Sequence, residues 1–219
     1  MVFTKVAIGN QHMAAITEDG RLFTMGTIEH GKLGHPEREK SQEELNQEKE
    51  RYRKAGYKPG SLSRSLPQIG FVEGALTGKK VIQVACGDKH TVCVTDDGSV
   101  YSWGSGKLGA LGHSERNDNC GEPTVVEGIT NAVRVECGTD HTLVLDANGK
   151  LWSFGENTYG QLGLRKDSLK EVRPMKIAIS ASQGKVVDIA CGDEHSAYVD
   201  GRGSAHTWGY GQDGQLGHG

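Results

Sequence analysis

Residues 84–113 read VACGDKHTVCVTDDGSVYSWGSGKLGALGH, and their local physics decides the fold. Val84, Ala85 and Cys86 form a short apolar run that ends at Gly87, where the chain turns at a point that would not admit a Cβ. After His90, Val92 and Val94 alternate with Cys93, and Asp97-Gly98 follows, a dipeptide suited to the positive φ of a tight hairpin. Val100-Tyr101-Ser102-Trp103 is the returning strand. Both of its faces carry apolar groups, which suits a sheet covered on both sides.

The stretch is one of four copies aligned on His12, His90, His141 and His195. Glycine precedes each histidine by three residues (Gly9, Gly87, Gly138, Gly192) and follows it at eight (Gly20, Gly98, Gly149, Gly203) and fourteen (Gly26, Gly104, Gly155, Gly209). Leu-Gly closes each unit at Leu33-Gly34, Leu111-Gly112, Leu162-Gly163 and Leu216-Gly217. One such column agrees by chance about once in several hundred trials, so four at fixed offsets are a repeat. Pro67, Pro123 and Pro174 each open a further short segment, at a strand start where a missing N–H matters least. Four short strands at spacings of 51 and 54 residues predict an all-β chain of four-stranded antiparallel β-propeller blades.

The pattern Val-Ala-Cys-Gly-x-x-His-Thr, then Asp-Gly-x-Val-Tyr-Ser-Trp-Gly, then Gly-x-Leu-Gly resembles the regulator of chromosome condensation repeat. Residues 84–113 carry it nearly whole, 135–164 and 189–218 carry it well, and 6–35 carry it in weaker form. The resemblance implies a seven-bladed propeller. The sequence is therefore expected to be one repeat domain over 1–219, with units near 1–35, 66–113, 122–164 and 173–219 and a partial ring of about four blades. The first unit is expected to lack its opening proline strand. About three more units, from further sequence or a second copy, would close the ring, and open blade edges would favour self-association.

Composition narrows the function classes. Thirty-two glycines, five prolines and 24% charged residues in 219 describe a folded, turn-rich chain. No apolar run reaches the ~18 residues that span a bilayer, and no signal peptide is read, so an intracellular protein, cytoplasmic or nuclear, is expected. A formal charge of -3 makes nucleic acid an unfavoured partner. Five cysteines without a Cys-x-x-Cys pair fit neither a disulfide framework nor a zinc site. Cys86, Cys137 and Cys191 share a register with Ile8, so that position asks for apolar bulk, and Cys120 is left as the more reactive thiol.

Residues 36–65 form an insertion rich in both charges and in helix formers. It is read first as a solvated helix or arm. The sharper reading makes it a partner-contacting element through Arg51, Tyr52, Arg53, Lys54 and Tyr57.

Several patterns mimic chemistry. Asp88-x-His90 and Asp193-Glu194-His195 suggest a metal or acid-base site, yet the histidine recurs in every unit. It is therefore expected to be structural, bonding backbone groups within its own blade, with the copies far apart. Gly104-x-Gly106-x-x-Gly109 and Gly209-x-Gly211-x-x-Gly214 open no helix in a βαβ unit, so no dinucleotide is expected. In Gly26-x4-Gly31-Lys32 the next residue is Leu33, where a phosphate loop needs Ser or Thr. Trp103 and Trp208 share a column with Phe154 and Met25, which favours blade packing over an aromatic photochemical cluster. Gly87, Gly138 and Gly192 are expected to serve the same architecture.

No catalytic residue, metal or cofactor is expected, and the reading is a non-enzymatic scaffold whose blade loops hold a partner protein. The resemblance implies two alternatives: nucleotide exchange on a Ran-like small GTPase, or substrate recruitment for a HECT-type ubiquitin ligase.

Overall fold

The computed structural model describes residues 1–36, 41–56, 68–113, 118–164, 168–182 and 184–218. Four antiparallel sheets follow one another along the chain. Sheet 1 holds β1 (Phe3–Ile8), β2 (His12–Thr17), β3 (Leu22–Gly26) and β4 (Gln68–Phe71). Sheet 2 holds β5 (Val81–Cys86), β6 (His90–Thr95), β7 (Val100–Gly104) and β8 (Cys120–Val125). Sheet 3 holds β9 (Ala132–Cys137), β10 (His141–Asp146), β11 (Leu151–Glu156) and β12 (Lys170–Lys176). Sheet 4 holds β13 (Val186–Cys191), β14 (His195–Asp200) and β15 (Ala205–Gly209). Each is a meander, and Gly98 at φ +78° turns the β6–β7 hairpin as the Asp-Gly signal requires.

Two sequence expectations are corrected. The proline-led segments do not begin a blade; each pairs as the outermost strand of the preceding sheet, as Phe23↔Phe71 and Tyr101↔Val125 show. Sheet 1 is therefore complete, and the sheet with three strands among the described residues is the fourth. Pro67 lies outside the described residues, directly before β4, but the other two prolines do not start their strands. Pro123 and Pro174 lie inside β8 and β12, where the register shifts between Ser102 and Gly104 and between Ser153 and Gly155, so the irregularity absorbs the missing N–H.

Successive sheets stack face to face. Ala14, Ile16 and Leu22 of sheet 1 pack on Val84, Cys93, Tyr101 and Trp103 of sheet 2, and the pattern repeats between sheets 2 and 3 and between 3 and 4. β6 and β10 are buried along their whole length, as expected of strands covered on both faces. The stack is laced at one end by hairpin carbonyls: Gly20 accepts from Val81 N at 2.8 Å and Gly98 from Ala132 N at 3.0 Å. The sheets form an arc and do not close into a ring.

Helix α1 (Gln42–Lys54) occupies the insertion between β3 and β4. Ser41 caps it: Glu44 N donates to the Ser41 hydroxyl, and Ser41 N donates to the Glu44 carboxylate. Glu43 and Glu44 lie at its positive end, and Arg51, Arg53 and Lys54 at its negative end, so its charges complement the helix dipole.

Candidate protein-interaction face

The repeated glycine and histidine build the joints between blades. Thr91 of sheet 2 donates its hydroxyl proton to the Lys32 carbonyl of blade 1 at 2.7 Å, so His12 Nε2, 2.8 Å from Thr91 Oγ1, carries the proton and donates it to that hydroxyl oxygen. The unit recurs as His90, Thr142 and the Ala110 carbonyl, and as His141, Ser196 and the Gln161 carbonyl. Trp103 and Trp208 add indole N–H bonds to the Lys32 and Gln161 carbonyls at 3.0 and 2.8 Å. These joints correct the sequence reading: the imidazole bonds the next blade's hydroxyl, not backbone in its own blade, and His90 feels both His12 and His141. Burial, the largest cause, lowers His12 and His141 to about 4 and His90 to about 3. In all three, Nδ1 is buried without a partner.

Gly87 shows why the column is glycine. A Cβ there would lie 2.2 Å from the His90 ring and 2.6 Å from the Gly138 carbonyl of the next blade. Gly138 stands in the same relation to His141 and the Gly192 carbonyl. Trp103, Phe154 and Trp208 occupy successive joints with a sheet between each, which is packing geometry. The column Cys86, Cys137 and Cys191 packs into those same joints, and burial pushes the Cys86 thiol up to about 12.

These joints hold one set of loops rigidly. The turns that precede each histidine bond the loops that leave the third strand: Thr27 N to Gln11 O, Ser105 N to Lys89 O, Glu156 N to Asp140 O, and Tyr210 N to Glu194 O, at 2.8–3.1 Å. All of them, with the connection that carries α1, therefore lie at one end of the stack. Around the inner strands this end opens into a cavity of about 590 Å³, lined by Asn10, Asp88, Thr139 and Asp193 above the three joint cysteines. Asp88 is held by Asn10 Nδ2 at 2.7 Å and Lys89 Nζ at 2.9 Å. Asp140 is half-buried, and its carboxyl is raised by burial and by Glu156 and Asp88 against the pull of Lys89.

The loop tips differ from blade to blade. Four residues after the third-strand glycine stand His30, Leu108, Tyr159 and Asp213. His30 and Leu108 have φ of +63° and +60°, and Leu108 and Tyr159 are exposed. Tyr159 meets Tyr210 of the next blade edge to face, 5.0 Å between centroids. Sequence reasoning named these loops but none of these tips. The signal that finds them is variation inside a repeat whose flanking glycines do not vary.

Of the insertion residues singled out from sequence, Arg51, Tyr52, Arg53 and Lys54 fall together in the last turn of α1. Arg53 pairs with Glu50 at 3.1 Å on the surface, and Tyr52 is half-buried. Tyr57 lies outside the described residues. Among the described residues no three His, Cys, Asp or Glu side chains converge to hold a metal, and no helix is long and apolar enough to cross a membrane.

Stacked antiparallel meanders whose variable loops gather at one end define a β-propeller repeat protein. A family model described as an RCC1-like domain matches residues 1–219, and the chain belongs to that family. It is 33% identical over 216 residues to the ultraviolet-B receptor UVR8 of Arabidopsis thaliana, covering 98% of this chain and 42% of that protein. It is 34% identical over 221 residues to the human E3 ubiquitin-protein ligase HERC2, covering 98% of this chain and 4% of the ligase. The crystal structure of human WBSCR16 superposes with a TM-score of 0.75 at 27% identity, covering 95% of this chain and 47% of that one. The chain thus spans less than half the length of these relatives.

Proposed function

We propose that this chain is a non-enzymatic intracellular scaffold that binds a partner protein through the loop face carrying His30, Leu108, Tyr159, Tyr210 and α1. The observation that supports it is the contrast between joints that recur with the same bonding pattern and tips that differ from blade to blade. Residues fixed by the repeat are spent on holding blades together, and the chemistry that differs between copies collects on one face. Such a division is how a rigid frame acquires a specific partner. Arg51, Tyr52, Arg53 and Lys54 would extend that surface from the α1 side.

The test is affinity capture with crosslinking, comparing the native chain, a face variant (Tyr159→Ala with Tyr210→Ala) and an opposite-end variant (Lys150→Ala with Arg202→Ala). Partners lost only with the face variant support the reading. Partners lost only with the opposite-end variant sink it.

Two finer readings draw on the family. Substrate recruitment for a HECT-type ligase is supported by the similarity to HERC2; a captured partner whose ubiquitination is unchanged by this chain removes it. Nucleotide exchange on a Ran-like GTPase is supported only by the family resemblance, and a panel of small GTPases loaded with fluorescent nucleotide decides it. No acceleration on any of them eliminates exchange.

A further inference from the structure

The loop end of the stack is charged unevenly. Across blades 1 and 2 its turns and loops mix both signs, with Glu29 and Asp88 among Lys32, Lys89 and Lys107. Across blades 3 and 4 the corresponding stretches, residues 138–141, 155–163, 192–195 and 209–217, hold Asp140, Glu156, Asp193, Glu194 and Asp213 and contain no lysine or arginine. Glu156 stands opposite Lys170 in the β11–β12 ladder. Among the described residues the other four make no ion pair, and Lys89, which draws on Asp140, is itself bound to Asp88 at 2.9 Å.

The same part of the face carries an aromatic pair. Tyr159 is 45% exposed and meets Tyr210 across the joint between sheets 3 and 4, the rings inclined at 68°. The loops beneath them are fixed: Tyr159 N donates to Gln161 Oε1 at 2.9 Å, Tyr210 N to the Glu194 carbonyl at 2.9 Å, and the Tyr210 hydroxyl to Gln212 Oε1 at 3.2 Å. Loss of water contact, then Asp213, Tyr159 and Glu194, raise the Tyr210 phenol, so both carboxylates lie close enough to act on it. Because the pair bridges two sheets of this chain and sits at the loop end, blades added beside sheet 1 or sheet 4 would extend the arc sideways and leave it open.

An edge-to-face pair keeps π faces free on its outer side, and a π face attracts cations. Carboxylates around it add full charges of the same sense. One side chain satisfies both: a guanidinium is planar, stacks on aromatic rings and carries five donors for carboxylate oxygens, whereas an ammonium offers the charge without the plane. We propose that a partner protein docks an arginine-bearing basic segment on this part of the loop face, one guanidinium stacking on the Tyr159–Tyr210 pair and the neighbouring cations meeting Glu194, Asp213, Asp193 and Asp140. The assignment rests on the loop-face reading and adds to it the sign and shape of what binds.

Fluorescence anisotropy of labelled hexa-arginine, with hexa-lysine and hexa-glutamate peptides for comparison, tests it on the 219-residue chain at low and at physiological salt. Hexa-arginine is expected to bind in the micromolar range, hexa-lysine more weakly, and hexa-glutamate not at all. Tyr159→Ala is expected to weaken hexa-arginine about threefold to fivefold at either salt, and Tyr159→Phe to retain the native affinity. Glu194→Gln with Asp213→Asn is expected to weaken it most at low salt, where exposed charges are least screened. Glu73→Gln with Glu127→Gln, the same change of charge at exposed positions beyond β4 and β8, is expected to leave it unaltered. The carboxylate pairs decide the matter on their own should Tyr159→Ala fold poorly. Absence of hexa-arginine binding at both salts, binding that a folded Tyr159→Ala leaves unchanged, or equal weakening by the two carboxylate pairs overturns the proposal. If affinity capture in that case still loses a partner with the tyrosine variant, the loop face stands as an interface and its cationic partner falls.

Discussion

Acidification from neutral pH to about pH 5 is expected to destabilise this chain far more than its carboxylates can explain. His12 and His141 titrate near 4 and His90 near 3 in the folded chain, against 6.5 when free, because burial disfavours the imidazolium. Their folded values are depressed, so below pH 6.5 the unfolded chain takes up protons that the native chain refuses. Stability is complete above that pH, falls as pH drops below it, and levels off near the folded values. At pH 5 each histidine costs about 2 kcal/mol, and the three together about 6 kcal/mol, comparable to the whole stability of an ordinary domain. Carboxylates with lowered values, Asp19, Asp88, Asp97 and Asp200, act only below about pH 4. Glu136 and Asp140, whose values are raised chiefly by burial, protonate first in the native chain and offset a small part of the loss. Urea unfolding followed by tryptophan fluorescence at several pH values from 7.5 to 5 measures the slope. His90→Gln is expected to be weaker at neutral pH but to lose about a third of the pH dependence. A midpoint that does not move over this range, or a His90→Gln variant with the native slope, would refute the account of the joints.

Other consequences are as specific. Gly87→Ala is expected to cost about 3 kcal/mol or more, because its Cβ has 2.2 Å to the His90 ring, whereas Gly203→Ala, at φ +83° with no neighbour within 4 Å, should cost about 1 kcal/mol; melting temperatures compare them. Thr142→Val leaves His90 Nε2 and the Ala110 carbonyl without their shared hydroxyl and is expected to cost about 2–3 kcal/mol in urea unfolding. In thiol labelling of the native chain, Cys120 is expected to react first, and Cys86 and Cys93 only on unfolding, since both are buried and raised by burial; equal rates for all three would contradict the packing.

How much of this could be read from residues alone follows from what a repeat can and cannot encode. Glycine, histidine and Leu-Gly columns reveal the unit, its strands and its hairpins, because each is a local signal. They do not reveal phase. A period has no origin, so nothing in the order of residues says whether the segment after Pro123 belongs with Val100 or with Ala132, and only the pairing of Tyr101 with Val125 answers it. Partner choice was hidden for a related reason. His90 meets Thr142, 52 positions away, and no local pattern carries that distance. The helix of the insertion was legible as far as composition is a local signal, while the loop tips were passed over because variation looks like noise until the frame around it is known.

That phase also makes the connection between the third and fourth strands an unusually permissive place for new sequence. Both ends of it are anchored in neighbouring strands of one sheet, so an inserted segment leaves and re-enters at nearly the same spot. The excursion over residues 27–67 is roughly three times as long as those over 105–119 and 157–169, yet the added entropy of closing it is only about 1 kcal/mol. Such a site lets evolution, or a protein engineer, graft a helix, a hairpin or a small domain onto the assembly without disturbing a single joint.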